Sequence, residues 1–312
     1  MNSSPYVEAC TCHGVAVESN FPLAIADWPR TAFKYRLRCS WQHTPFPPSP
    51  ILWANRATPP HKTGLFTIRK IAHQVIFSVA GRGELLVEAD QLVLAGWPTP
   101  QSRDLALLNH GLLLWLESKR HPVLHGACLA KQQGAVALLA ESGQGKSTFS
   151  AALTLQGCQL LSDDVFALYS NPGQPPSVFP GPPHARLTPD SAAALRVPWP
   201  TQADQDGKLK IWPSSPAVSS HPLKAICLLH RRLGDVGPPH LIPLNPSAAL
   251  LALTQHSYLD NAAYILHPPD ERLAMLAQVV EQIPVVQWNY PSGFDRLPEV
   301  SQQFIEQLWE QS

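Results

Sequence analysis

Charge is scarce in this chain. Asp, Glu, Lys and Arg make up 15% of its 312 residues, and Lys+Arg and Asp+Glu are equal at 23 each. A zero formal charge removes the simple electrostatic case for nucleic acid or an anionic membrane as a partner. Long apolar runs are lacking too. The longest, around Leu105–Leu116, is too short and too interrupted to span a bilayer, and no basic-plus-apolar signal segment opens the chain. The expected compartment is therefore the cytoplasm, with no membrane partner. Cysteine is sparse and unpatterned: Cys10, Cys12, Cys39, Cys128, Cys158 and Cys227 contain no C-x-x-C. Cys10 and Cys12 would share one face of a strand, but no second pair accompanies them. That argues against zinc and for buried reduced thiols. There is no internal repeat.

Proline, by contrast, is abundant. Its 33 residues are roughly twice the usual share, clustered at Thr44–Pro60, Pro172–Pro183 and Val197–Pro200, which read as loops. An apolar content of 45% argues against general disorder, and the length suits two domains. Residues Tyr6–Leu94 read as mostly β, with runs at Val15–Val17, Phe33–Trp41, Leu65–Ile68, Val75–Val79, Leu85–Val87 and Leu92–Leu94. Ala80-Gly81-Arg82-Gly83 predicts a hairpin, and Pro45–Pro60 a long loop. A helix follows over Asp104–Ser118, with Leu105, Leu108, Leu112, Trp115 and Leu116 on one face, Ser102 or Asp104 as its cap and Lys119-Arg120 at its end.

After His121-Pro122 the pattern changes. Strands are expected at Val123–Ala130 and Gly134–Ala140, a helix at Lys146–Leu155 ended by Gly157, and strands at Cys158–Leu161 and Val165–Tyr169. Leu223–Leu229 is a further apolar run, and helices are expected at Pro246–Leu253, Asp270–Glu281 and Leu297–Glu310. This strand–loop–helix–strand order opens an α/β nucleotide-binding fold.

The loop Ala140–Thr148 reads A-E-S-G-Q-G-K-S-T, the phosphate-cradling pattern G-x-x-x-x-G-K-[ST] with Ala140 at the first glycine. Gly143 and Gly145 let successive amides approach phosphate oxygens closely. Lys146 supplies positive charge to the β and γ phosphates. Ser147 offers a hydroxyl to Mg²⁺ at a helix N-terminus that favours the anion. Ser142, Gly143, Gln144, Gly145, Lys146, Ser147 and Thr148 form the candidate nucleotide-binding set. The alternative is an accidental glycine turn. Downstream, Asp163-Asp164 ends an apolar strand, where one carboxylate can hold Mg²⁺ while its neighbour takes a proton from an attacking hydroxyl. A solvated turn is the competing reading. His125-Gly126 lies on the strand before the loop, and on spacing alone His125 is as easily a structural histidine.

Together, the segment His125–Tyr169 resembles the catalytic domain of HPr kinase/phosphorylase, which pairs a His-Gly strand, a G-[DE]-S-G-x-G-K-S loop and an Asp-Asp after a strand. The resemblance implies a P-loop kinase domain over 121–312; from their own pattern, the residues before it are expected to form a mostly-β domain over 1–100 and a junction helix over 101–120. The resemblance also implies ATP and Mg²⁺ as cofactors, with Asp163 the base toward a serine hydroxyl, Asp164 and Ser147 beside the metal, and His125 near the phosphates. Thr148 stands where the family has Glu, and its E-I-R-G-L-G segment has no counterpart here. The chain is similar over most of its length to HPr-kinase-related proteins, including kinases of lasso-peptide biosynthesis. This likeness is carried by Gly14–Leu23, Pro183–Leu187 and Tyr290–Pro298. Such kinases act on a serine of a peptide. Arg186 could stabilise the transferred phosphoryl or grip a substrate carboxylate, a surface ion pair being the equal alternative. Lys208 and Lys210 follow an Asp-Gly turn and invite the same question. The expected function is an ATP-dependent serine kinase acting on a peptide or small protein. A small-molecule kinase and a nucleotide-gated assembly protein stand as alternatives, and a homo-oligomer is left open by the family's hexamers.

Overall fold

The computed structural model describes residues 6–23, 25, 28–55, 66–72, 74–132, 134–171, 173–204, 206–234, 237–259 and 262–310. The far end of the first proline cluster (56–60), Leu65 and Pro172 lie outside the described residues. The chain is mixed α/β and divides into two compact units. One comprises Met1–Arg120 with Asn261–Pro269, the other His121–Asp260 with Asp270–Ser312.

The first unit is built on an eight-stranded sheet: β1 (Val7–Cys12), β2 (Val15–Ser19), β3 (Tyr35–Gln42), β4 (Ile51–Ala54), β5 (Phe66–Ile71), β6 (Gln74–Val79), β7 (Gly83–Val87) and β8 (Gln91–Gly96). Their spatial order is β1-β2-β3-β8-β7-β6-β5-β4. The expected hairpin joins β6 to β7 through Gly81, whose positive φ of 71° a turn of this kind requires. Two strands were not legible. β1 has only broken alternation, and β4 sits inside the proline-rich stretch expected to be loop. Its position at the sheet edge explains the tolerance, because prolines flanking an edge strand remove no ladder bonds.

A continuous helix follows: α1 (Pro100–Ala106), a π-helical turn at Leu107–Gly111, and α2 (Leu112–Ser118). Its cap is Thr99, not Ser102 or Asp104. Thr99 accepts from the Ser102 amide while the Ser102 side chain accepts in return, with Pro100 at the first helical position. Leu105 is 46% exposed, against the expectation, whereas Leu107, Leu113 and Leu114 join Leu108, Leu112, Trp115 and Leu116 in the interior. The run is apolar around most of the helix circumference, so no single stripe identifies the buried face.

In the second unit β9 (Val123–His125), β10 (Ala127–Lys131), β11 (Gly134–Leu139), α3 (Lys146–Leu155), β12 (Gln159–Ser162), β13 (Val165–Ala167), β14 (Tyr169–Asn171) and β15 (Gln174–Val178) follow in turn. Then come β16 (Ala185–Leu187), α4 (Pro189–Leu195), β17 (Thr201–Ala203), β18 (Leu209–Ile211), β19 (His221–Arg232), β20 (His240–Pro243) and α5 (Pro246–Gln255). The short α6 (Ala263–Leu266) belongs to the first unit, and α7 (Pro269–Gln282), β21 (Val285–Pro291), α8 (Leu297–Ile305) and a π-helical turn at Glu306–Glu310 complete the chain. The strand expected over Val123–Ala130 is two strands broken at Gly126, and that over Val165–Tyr169 divides between β13 and β14. An added Cβ at Gly126 would stand 2.6 Å from the Leu138 carbonyl oxygen, so only glycine fits where the chain passes between layers.

The central strands are parallel: β11 pairs with β19 and β19 with β21. β10 runs antiparallel between β11 and β12, so β12 points the same way as β11. Period-two alternation divides the sheet's side chains between two cores. Val136, Leu138, Cys227, Leu229, Trp288 and Tyr290 pack with Phe149 of α3 and Phe304 of α8. On the opposite face Ala135, Ala137, Leu139 and Ile226 pack with Leu253 of α5 and Leu276 of α7. All six cysteines are buried and unbonded. Among the described residues, no helix is long and apolar enough to cross a membrane.

Candidate functional site

The C-terminal ends of β11, β12, β19 and β21 share one edge of this sheet, where open α/β sheets place their ligands. The loop leaving β11 turns back into α3 through Gly143 (φ 84°) and Gly145 (φ 87°). Both angles are left-handed, which favours glycine. Nothing stands within 4 Å of a Cβ built on Gly143, so its need is conformational and the loop's outer face is open. The first turn of α3 begins at Lys146, with Gly145 as its cap. Its leading amides therefore lack helical partners and can take an anion.

Beside the loop, β12 is followed directly by Asp163-Asp164. The Lys146 Nζ lies 3.9 Å from Asp164 Oδ1, and His125 Nδ1 lies 3.5 Å from the same oxygen. Asp164 holds a positive φ of 77°, fixed by the Gly126 amide donating to its carbonyl at 2.8 Å. Its carboxylate is exposed, whereas the Lys146 side chain is only 10% exposed. Asp163 turns inward. The Arg186 amide donates to Asp163 Oδ2 at 2.9 Å, while Oδ1 is buried with no hydrogen-bond partner. Burial raises the Asp163 carboxyl above the usual carboxylate range, and the Lys146 charge and the Arg186 N–H oppose it without prevailing. His125 is lowered, chiefly by desolvation, with Asp164 pulling the other way and Lys146 reinforcing the fall.

The structure thus brings Gly143, Gly145, Lys146, His125, Asp163 and Asp164 to one edge, with half-buried Ser147 and exposed Ser142 on the same loop and helix start. Two other candidates are placed differently. Thr148 Oγ1 pairs with Ser191 Oγ at 2.9 Å, tying α3 to the start of α4, so its hydroxyl is engaged in packing. The Arg186 guanidinium is held by carboxylates: Nε donates to Asp204 Oδ2 and Nη2 to Asp206 Oδ2, both at 2.7 Å. It forms the surface ion pair that was one of its two readings, and its backbone is what touches Asp163. Asp204 Oδ1 in turn accepts from the Lys208 and Asp206 amides at 2.9 Å. Lys208 is close enough to act electrostatically on both Asp163 and His125, and Lys210 faces Arg186 across the β16–β18 ladder.

Two residues escaped the sequence. Arg231 Nη2 donates to the Gly143 carbonyl at 3.0 Å, and the Tyr290 hydroxyl donates to the Gln144 carbonyl at 3.1 Å. The apolar run that marks β19 stops at Leu229, so its continuation to Arg231 carried no signal. Tyr290 lies in a segment of family likeness that suggested no role. Burial pushes the Tyr290 phenol up to about 12, which keeps it a donor.

These residues fit a nucleotide and a divalent ion. An orphaned buried oxygen of Asp163 lies within electrostatic reach of near-buried Lys146, which pairs with Asp164, beside the open Gly143. Among the described residues, no cluster of three or more His, Cys, Asp and Glu could hold a metal alone. The two aspartates and Ser147 instead suit an ion such as Mg²⁺, which takes one or two carboxylates and completes its shell with phosphate oxygens and water.

Fold and site together define a mixed α/β protein with a glycine-turned loop and an acidic pair at the C-terminal edge of its parallel strands. No family model matches the chain, and no curated protein matches it. Among solved structures it is similar to the Hpr(Ser) kinase/phosphatase from Coxiella burnetii, at 17% sequence identity and a TM-score of 0.33, over 59% of this chain and 88% of that one. A likeness this distant carries no weight for function, which rests on the site itself.

Proposed function

We propose that this chain is an ATP-dependent kinase that transfers the γ-phosphoryl to a serine hydroxyl of a peptide or small protein in the cytoplasm, through a P-loop domain of HPr-kinase type. The observation that carries the reading is Asp163 Oδ1, buried and unpartnered beside Lys146. A carboxylate left without a donor at the mouth of an anion loop is poised to take a proton. ATP with Mg²⁺, when bound, supplies the phosphoryl group and the charge that offsets its oxygens. Lys146 and the amides of Gly143–Ser147 orient the phosphates. Asp164 and Ser147 would hold the metal, and His125, lowered by desolvation, stands next to Asp164. Asp163 accepts the serine proton, its other oxygen fixed by the Arg186 amide. The Arg186 side chain, occupied by Asp204 and Asp206, acts by holding this strand and turn in place.

The test is Asp163→Asn with γ-labelled ATP and a panel of serine peptides and small molecules. The variant keeps nucleotide binding and loses transfer by about 10²–10⁴-fold, the usual contribution of a general base. Transfer at the wild-type rate would sink the assignment, and label on small molecules alone would make this a small-molecule kinase.

A further inference from the structure

A loop that turns its amides toward an anion must turn its carbonyls away from it, and carbonyls leaving a sheet edge need donors. In this chain the donors are side chains from two neighbouring strands. Arg231 and Tyr290 are register partners in the parallel β19–β21 ladder, so their side chains stand side by side on one face. Arg231 reaches the Gly143 carbonyl and Tyr290 the Gln144 carbonyl. These two carbonyls bracket Gln144 and lead into Gly145, whose left-handed φ sets the loop's direction. The Tyr290 ring is locked in place by Phe149, with centroids 5.0 Å apart, so its hydroxyl has little freedom to leave.

Resting on the kinase reading of this loop, we infer that Arg231 and Tyr290 are positioning residues, a two-point latch that presets the loop amides for the triphosphate. The latch acts before any ligand arrives, so it lowers the reorganisation that binding would otherwise require. It belongs to ground-state binding: the donors touch the loop's outward carbonyls and leave the reacting atoms to Lys146 and Asp163.

The experiment uses the full chain with Tyr290→Phe and Arg231→Met, and Arg231→Lys as the conservative rescue. Hydrogen exchange of the 142–147 amides is measured without ligand, then ADP and ATP affinity by calorimetry, then KM and kcat. Tyr290→Phe keeps the ring packed on Phe149, so folding is preserved while one donor is lost. Both disrupting variants should exchange faster in the loop and bind nucleotide about tenfold more weakly, a difference of about 1.4 kcal/mol. The loss should appear in KM rather than in kcat, and Arg231→Lys should recover part of it. Unchanged loop exchange in both disrupting variants would overturn the latch. A fall in kcat with unchanged KM would overturn it too, by making Arg231 a catalytic residue. If the unaltered chain binds no nucleotide, the kinase reading fails separately, and the exchange measurement still decides whether the latch exists.

Discussion

Replacing Asp163 with asparagine should stabilise this protein while disabling it. The wild-type carboxylate has Oδ2 satisfied by the Arg186 amide at 2.9 Å and Oδ1 buried without a partner. An unsatisfied buried polar atom costs about 1–3 kcal/mol, more when charged. Asparagine keeps an oxygen for Arg186 and places a neutral amide where the charged oxygen was, and its unmet N–H groups cost less to bury than a charge. Opposing this, the substitution gives up attraction to Lys146. Burial outweighs that attraction, because the Asp163 carboxyl is raised rather than lowered. The expected gain is about 1 kcal/mol at pH 8, or about 2–4 °C in Tm for a unit of this size.

The pH dependence has a definite sign. A carboxyl raised on folding contributes its stability below its unfolded value, about 3.9, and loses it as pH rises through the raised folded value. The gap between variant and wild type is therefore widest at pH 8 and closes toward acid. Thermal unfolding of both proteins at several pH values between 4 and 8, without nucleotide, measures it. An Asp163→Asn variant less stable than wild type at pH 8, or a gap that does not change with pH, would refute the reasoning.

Two further substitutions test the frame around the site. Gly126→Ala should cost about 1–3 kcal/mol, because the new Cβ would sit 2.6 Å from the Leu138 oxygen and 2.9 Å from Phe166 Cε1. Unfolding within 0.5 °C of wild type would show that this crossing is looser than described. Thr148→Ala removes the link to Ser191 and should lower stability by about 0.5–1.5 kcal/mol. Unchanged stability with a nucleotide affinity weakened more than tenfold would return Thr148 to the binding set.

Elements with strong local pattern were legible in the sequence, and those specified by distant partners were not. The helix at Lys146–Leu155 was read to the residue because a glycine turn, a lysine and a closing Gly157 bound it on both sides. The stretches at Pro246, Asp270 and Leu297 carry comparable periodicity. β21, α4 and β16–β18 went unread for different reasons. β21 is a run buried on both faces, V-V-Q-W-N-Y-P, in which Gln287 and Asn289 break the apolar pattern that would mark it as a strand. β16 and β18 are three residues long and exist because they pair with each other. β4 was masked by its prolines, whose meaning changes at a sheet edge.

The site divides along the same line. Lys146, Asp163 and Asp164 announce themselves because the chemistry proposed for them places those residue types at fixed positions in short motifs. Arg231 and Tyr290 lie 88 and 146 residues from their hydrogen-bond partners in the loop. What joins them to it is the parallel registration of β11, β19 and β21, a property of the sheet rather than of any segment. Arg186 shows the converse. Its charge drew attention to the guanidinium, yet two aspartates occupy that group and the backbone N–H, invisible in sequence, is what holds the proposed base. A motif therefore locates the groups that would meet the ligand, while the groups that orient them are drawn from wherever the sheet's strands converge. Substitutions at Arg231, Tyr290 and Arg186 should accordingly act through geometry, altering how well the motif residues are aimed.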